Sequence, residues 1–532
     1  MPTSPDRRRF LAALGALPLL SLHGMISNEA QAATLKMGEA ETFDIETLRA
    51  RARQRATTPY RPAKLEHEAL LQDIDFDAHQ KIRFRPDHAL WGNEEAAFSA
   101  QAFHLHRYQK HPVKLYELRE GRAREILFDT ELFDFLDPKM KARVPEDLGF
   151  AGFRLMNPDG RTDWLAYQGA SYFRSCGEQN QYGQSARGVA VNTAMPDPAL
   201  PEEFPLFTAF WLEKPEPGST TVTLYALLEG ESLTGAYRFT WHKPRQGPVK
   251  ADVDAWLYPR KDIARLGIAP LTSMYWYGEN DRRDASDWRP EVHDTDGLAL
   301  WTGSGERIWR PLGNPPRLMV NSFADRNPRG FGLLQRDKNF DHYQDDGVFY
   351  EKRPSVWVEP MGEWGAGAVQ LVEISTDDEI YDNIVAYWVP ANPVQPPQEL
   401  HFAYRLHWGA EEPYPAGNVA QVTSTRLGKG GIPGQPRPPG HTKFAIDFAG
   451  GPLAAMPPRY DLEVVVTASR GTVSGQYAVR VVGTDRWRAF FDLDATPGPD
   501  PVDLRLFLRL NGQPLTETWL YQYFPGSQPW RS

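Results

Sequence analysis

Cysteine is almost absent: Cys176 is the only one in 532 residues. No intrachain disulfide can form, so the fold must hold by its core alone. A lone cysteine is more often a packed small side chain than a nucleophile. Long apolar runs are also lacking. The most concentrated one, Phe10 to Leu22, is well short of the roughly 20 residues that span a bilayer as a helix, so no transmembrane span is expected. There is no basic excess either: 59 Lys and Arg stand against 69 Asp and Glu, a net charge of −10. That excludes a globally basic nucleic-acid binder. Apolar residues at 41% and charged residues at 24% exclude a disordered chain.

Several catalytic motifs are missing as well. There is no HExxH, no CxxC and no acidic calcium loop with the required Gly and Glu. His104 and His106, with His111 nearby, would share one face of a strand, but two imidazoles are a thin basis for a metal site. Neither a metal nor a cofactor is expected. No GxSxG elbow occurs, and Ser185 in Gln181 to Gly188 has no evident base nearby. The nearest approach to a phosphate loop, Gly428 to Gly434, has Gly430 after Lys429 where Ser or Thr is needed.

What is present begins with an export pattern. Arg7, Arg8 and Arg9 precede Phe10 and Leu11, an apolar run follows, and Ala30-Gln31-Ala32 offers a small-x-small cleavage site. The run has the form of a twin-arginine signal, with Asp6 in place of the usual Ser or Thr. A signal over 1–32, a mature chain starting near Ala33 and a periplasmic location are expected.

Helical patterns are few: one opens near Asp44 and a second covers Leu65 to Ile74. Beyond them strand patterns dominate. Val502, Leu504, Leu506, Leu508 and Leu510 alternate with Asp503, Arg505, Phe507 and Arg509, a half-buried strand. Asn511-Gly512 then predicts a type I′ hairpin. Thr221 to Leu228, Leu400 to Trp408, Leu462 to Thr467, Tyr477 to Val482 and Trp487 to Leu493 also read as strands. With 43 Gly and 46 Pro, turns outnumber long helices. Proline-rich stretches at 392–398 and 428–440 suggest a boundary near residue 412. A large domain over 33–412 and a small sandwich over 413–532 follow.

Aromatic residues are the excess: 16 Trp, 21 Tyr and 27 Phe. Trp276, Trp288, Trp301, Trp309, Trp357 and Trp364 fall in one stretch, interleaved with Arg, Asp, Glu, Gly and Pro. Such a mixture suits a cleft in which rings stack on sugar C–H faces and charged groups bind hydroxyls. Glycoside hydrolysis needs a carboxyl acid and, in inverting enzymes, a carboxylate base. Asp294, Asp296, Asp341, Asp345, Asp346, Glu359 and Asp382 are candidates, and spacing alone does not choose among them.

Longer motifs narrow the choice. LGFAGFR (148–154), GASYFR (169–174), QYGQSARG (181–188), FPLFTAFW (204–211), LTGAYRF (233–239), YPRKDIARLGIAPLTSM (258–274), NPRGFGLLQRDKNFDHYQD, RPSVWVEP and ETWLYQYFP (517–525) resemble the periplasmic glucan biosynthesis proteins of the G/D type, over essentially the whole mature chain. The twin-arginine pattern resembles the D type. The resemblance implies an all-β architecture, a large galactose-mutarotase-like β-sandwich followed by a small immunoglobulin-like one. It implies a β-1,2-linked glucan partner and inverting β-1,2-glucanase chemistry. By position it places the general acid on Asp382, within Tyr381 to Asn383, and the base-side carboxylate on Asp294. Trp301, Tyr275, Trp357, Arg353 and Glu359 are expected to line glucose subsites. The alternative is a scaffold that holds nascent glucan for a membrane glucosyltransferase or a branching step without cleaving it. A mutarotase-type epimerase ranks below both, since the region offers a long Trp-rich run and no compact His-Glu pocket.

Overall fold

The computed structural model describes residues 35–526, apart from Asn93 and Ala170. The expected signal lies outside the described residues. Among them, no helix is long and apolar enough to cross a membrane.

Strands dominate, as the sequence pattern predicts, and they build two large sheets. The first has sixteen strands. Its centre is an antiparallel meander of Leu206–Glu213, Thr221–Glu229, Leu233–His242 and Val249–Pro259. It continues through Leu400–Gly409, Ser355–Met361, Gly330–Leu334, Gly297–Trp301 and Arg307–Pro311. The second sheet has ten strands, with Ile384–Pro390, Leu266–Ser273, Ser185–Arg187 and Tyr172–Ser175 consecutive in its middle. Alternation puts one side of each sheet into a shared core. Phe173 and Tyr167 of the second sheet meet Phe239 of the first at ring distances of 5.3 and 5.4 Å. Trp241 donates its indole N–H to the Tyr167 hydroxyl at 2.9 Å, so a large buried ring keeps its polar group satisfied.

The helix predicted near Asp44 is Ile45–Ala56, capped by the Asp44 carboxylate accepting from the Thr47 N–H at 2.7 Å. It packs Leu48 and Ala52, four residues apart, on the outer face of the first sheet. The second helical pattern is a short helix, Glu68–Asp73.

The C-terminal part is a second, smaller sandwich. One layer is Gln421–Lys429, His441–Ala449, Trp487–Asp494 and Thr472–Arg480; the other holds Glu463–Ala468, Val502–Leu510 and Thr518–Tyr523. Val502, Leu504, Leu506 and Leu508 are buried between them with Phe444, Phe491 and Trp519. Asn511 and Gly512 both take positive φ, 51° and 77°, as a type I′ turn requires. This is the all-β pair of bodies that the resemblance implies. The expected boundary near 412 lies in the connection 410–420. The two bodies nevertheless share hydrogen bonds: Arg307–Pro311 pairs in parallel with Thr518–Tyr523, so the first sheet runs on into the small sandwich.

Candidate functional site

The strands that lead to the site end beside one another. Tyr275–Tyr277 pairs with Val292–His293, with Tyr275 opposite His293. Asp294 follows at once and is tied by its N–H to the Met274 carbonyl at 2.9 Å. Asp382 stands two residues before Ile384–Pro390, whose first residue pairs with Ser273. Asn383 fixes this approach. Its side chain accepts from the Tyr275 N–H at 2.8 Å and donates to the carbonyls of Tyr275 at 2.9 Å and Ile374 at 3.0 Å. Both carboxylates are therefore tied to one segment, Ser273 to Tyr275.

Their surroundings differ. Asp382 is half-buried. Burial, and then the Asp294 charge, push its carboxyl up to about 6, against the pull of Arg187, Arg174 and Arg353. Asp294 is buried and ion-paired with Arg353. Burial still holds its carboxyl above the ordinary range. Arg353 lies 4.3 Å from the centre of the Tyr350 ring, and the Tyr350 hydroxyl donates to Glu379. Glu379 in turn receives both terminal nitrogens of Arg289 at 2.9 Å. Arg174 and Arg187 come from neighbouring strands of the second sheet. Phe173 and Ala186 between them enter the core, which puts both arginines on the other face.

His293, before Asp294, is held by Glu291 at Nε2 and Gln335 at Nδ1, both at 3.1 Å. Burial lowers its basicity, but the Glu291 hydrogen bond and charge outweigh that and leave it raised. Glu291, Asp337 and His342 bring one ligand atom each within 4.8 Å of one another. These atoms already have internal partners, His293 for Glu291 and His342 for Asp337.

The expected subsite residues separate into two groups. Arg353 joins the two carboxylates. Tyr275 does not offer its ring: the side chain is 1% exposed, stacked 5.2 Å from His293, with its hydroxyl on Asn280. Its contribution is the backbone that Asn383 grips. Trp357 is likewise 1% exposed, lying where a Cβ on Gly330 would meet its ring at 2.4 Å. Trp301 pairs with Gly330, and Glu359, opposite Arg405, follows the Val358 that pairs with Phe331. Trp301 is four residues down its strand from Gly297, about 13 Å at 3.3 Å per residue. An Arg307 guanidinium covers its ring at 3.7 Å, and Glu359 accepts from His407 and Tyr414, each at 2.9 Å. These two belong to the seam with the small sandwich.

The other carboxylates have local duties. Asp296 accepts the backbone N–H groups of Arg336 and Asp337, and Asp345 those of Gly347 and Val348. Asp341 and Asp346 are exposed. His104 gives Nδ1 to the Leu105 carbonyl at 2.6 Å, while the His106 ring lies tilted against His79 at 4.2 Å. Neither belongs to a group able to hold a metal among the described residues. Burial pushes the Cys176 thiol up to about 12, so it is not a poised nucleophile. Ser185 is buried against Thr272.

Sequence reasoning did not assign Arg174, Arg187, Arg289, Tyr350, Glu379 or Asn383. The two strand arginines close the motifs GASYFR and, one residue short, QYGQSARG, and that was the only signal for them. An all-β protein with two unequal carboxylates set among arginines is the class that fold and site define. A family model described as "Periplasmic glucan biosynthesis protein, MdoG" matches residues 43–523. The chain is 48% identical over 535 residues to "Glucans biosynthesis protein D 2" of Ralstonia nicotianae, covering 98% of each. It is 51% identical over 529 residues to "Glucans biosynthesis protein D" of Stenotrophomonas maltophilia, again 98% of each. It is 49% identical to "Probable glucans biosynthesis protein D" of Shewanella oneidensis, covering 98% of this chain and 96% of that one. The chain belongs to the periplasmic glucan biosynthesis protein family, which places it in the periplasm and its work in glucan biosynthesis.

Proposed function

We propose that this protein trims the glucose backbone of osmoregulated periplasmic glucans by inverting hydrolysis of β-1,2-glucan. The observation that carries the reading is the unequal carboxyl pair. Asp382, pushed up to about 6, holds a proton where an ordinary aspartate has lost its own, and gives it to the glycosidic oxygen. Asp294 receives the proton of the attacking water, directly or through an intervening hydroxyl. Arg353 keeps Asp294 oriented and favours its ionised form. Export by the twin-arginine route, before the chain reaches its glucan, belongs to the same reading.

The test is release of reducing ends from linear β-1,2-glucan by the parent, Asp382→Asn and Asp294→Asn. Each variant is expected to lose at least about a hundredfold in kcat, the usual span for a general acid or base. Equal rates in all three would sink the assignment.

One observation favours a second reading. The Asp294 carboxylate is already occupied by Arg353, as a purely structural ion pair would be. In that case the cleft holds nascent glucan for a membrane glucosyltransferase or a branching step. Chromatography of β-1,2-glucan after incubation separates the two: binding without shortening supports the scaffold.

A further inference from the structure

Trp288 is 73% exposed, and among the described residues no other tryptophan is comparably open. An indole left in water forgoes a large burial gain. The ring is nonetheless mounted with care. Its neighbour Arg289 is buried and donates to Asp287 at 2.9 Å, to Asp345 at 2.8 Å and to Glu379 at 2.9 Å. Asp287 on the other side is thereby fixed too, and the Tyr277 hydroxyl holds the Arg289 carbonyl at 3.3 Å. The backbone on both sides of Trp288 is pinned while its ring stands free.

The mount is shared with the two carboxylates. Glu379, gripped by Arg289, is three residues before Asp382. The same Glu379 accepts from Tyr350, whose ring lies beneath the Arg353 that pairs with Asp294. A rigid base and an open aromatic face suit a pyranose, which offers its C–H face to a ring.

We propose that Trp288 is a substrate-binding residue, an aromatic platform on which a glucosyl unit of the chain stacks beyond the Asp382–Asp294 pair. This rests on the glucan-cleft reading above. Its test uses the full chain. In an Asp382→Asn background, which separates binding from cleavage, Trp288→Ala is expected to raise the Kd for linear β-1,2-glucan roughly tenfold. Trp288→Phe should recover most of that loss. In the cleaving protein, Trp288→Ala should raise KM by a similar factor and change kcat far less, with thermal stability unmoved. An unchanged Kd in Trp288→Ala overturns the platform and leaves the cleft reading standing. If Asp382→Asn alone binds no glucan, both fall. If it binds while the wild-type protein releases no reducing ends, hydrolysis fails and the platform stands.

Discussion

At the scale of single residues, the Asp382 carboxyl carries an energetic cost that the fold retains. Its folded value, about 6, lies above the 3.8 of an unperturbed aspartate. The folded state therefore binds its proton more tightly than the unfolded one. Below about pH 4 both states are protonated and nothing is lost. Stability falls as pH rises from about 4 to about 6, and the full cost, about 3 kcal/mol, stands above that. Asp382→Asn mimics the protonated form, so it should raise the midpoint of denaturant unfolding at pH 8 and hardly change it at pH 4. A variant equally destabilised at both values would remove the case for a raised carboxyl. The same group sets an activity limb. If it is the acid, kcat/KM falls above about pH 6, and a profile still rising through pH 8 would assign the proton elsewhere. The family resemblance placed the acid on Asp382, but two of the arginines that act on it, Arg174 and Arg187, lie about 200 positions away, a proximity that no spacing rule encodes.

At the scale of elements, the site depends on one loop being stitched to one strand end. Asn383 is 1% exposed and makes three hydrogen bonds, two of them to the backbone of Tyr275. Asn383→Ala leaves a buried N–H and two carbonyls without partners, a loss of about 2–4 kcal/mol. It also frees the segment bearing Asp382. Glucan cleavage should drop more steeply than stability, measured as kcat beside the unfolding midpoint. Loss of stability with kcat intact would show that the stitch is only structural. Strand alternation made most of these elements legible in advance: Val502–Leu510 and its Asn-Gly turn appear as the pattern predicts. What alternation could not convey is which end of a strand faces the site. The Trp-rich stretch read as one surface, yet Gly297–Trp301 and Ser355–Met361 run away from Asp294 and Arg353. They carry Trp301 and Glu359 to the seam and seat Trp357 against glycine.

At the scale of the whole molecule, the two bodies act as one because Arg336 spans them. Its backbone N–H is held by Asp296, two residues after Asp294. Its guanidinium donates to Glu517 at 2.8 and 2.9 Å, to Glu412 at 3.1 Å and to the Val422 carbonyl at 3.1 Å, while lying 3.8 Å over the Trp309 ring. Glu517 is buried there and the Glu412 side chain is 6% exposed. Composition suggested a boundary near 412 but gave no sign of this joint, since parallel pairing between 307–311 and 518–523 joins segments some 200 residues apart. Removing the cation leaves the Glu517 carboxylate in a dry seam with only the Val422 N–H, while Glu412 keeps Arg307 at 2.9 Å; the loss is about 3–5 kcal/mol. Arg336→Met should therefore split a single thermal transition into two, with the small sandwich melting apart from the large body. Adding Glu517→Gln should recover part of the loss, because it removes the stranded charge. Calorimetry of the parent, the single and the double variant decides it. One unchanged transition in Arg336→Met would mean that the shared strands couple the bodies without the arginine.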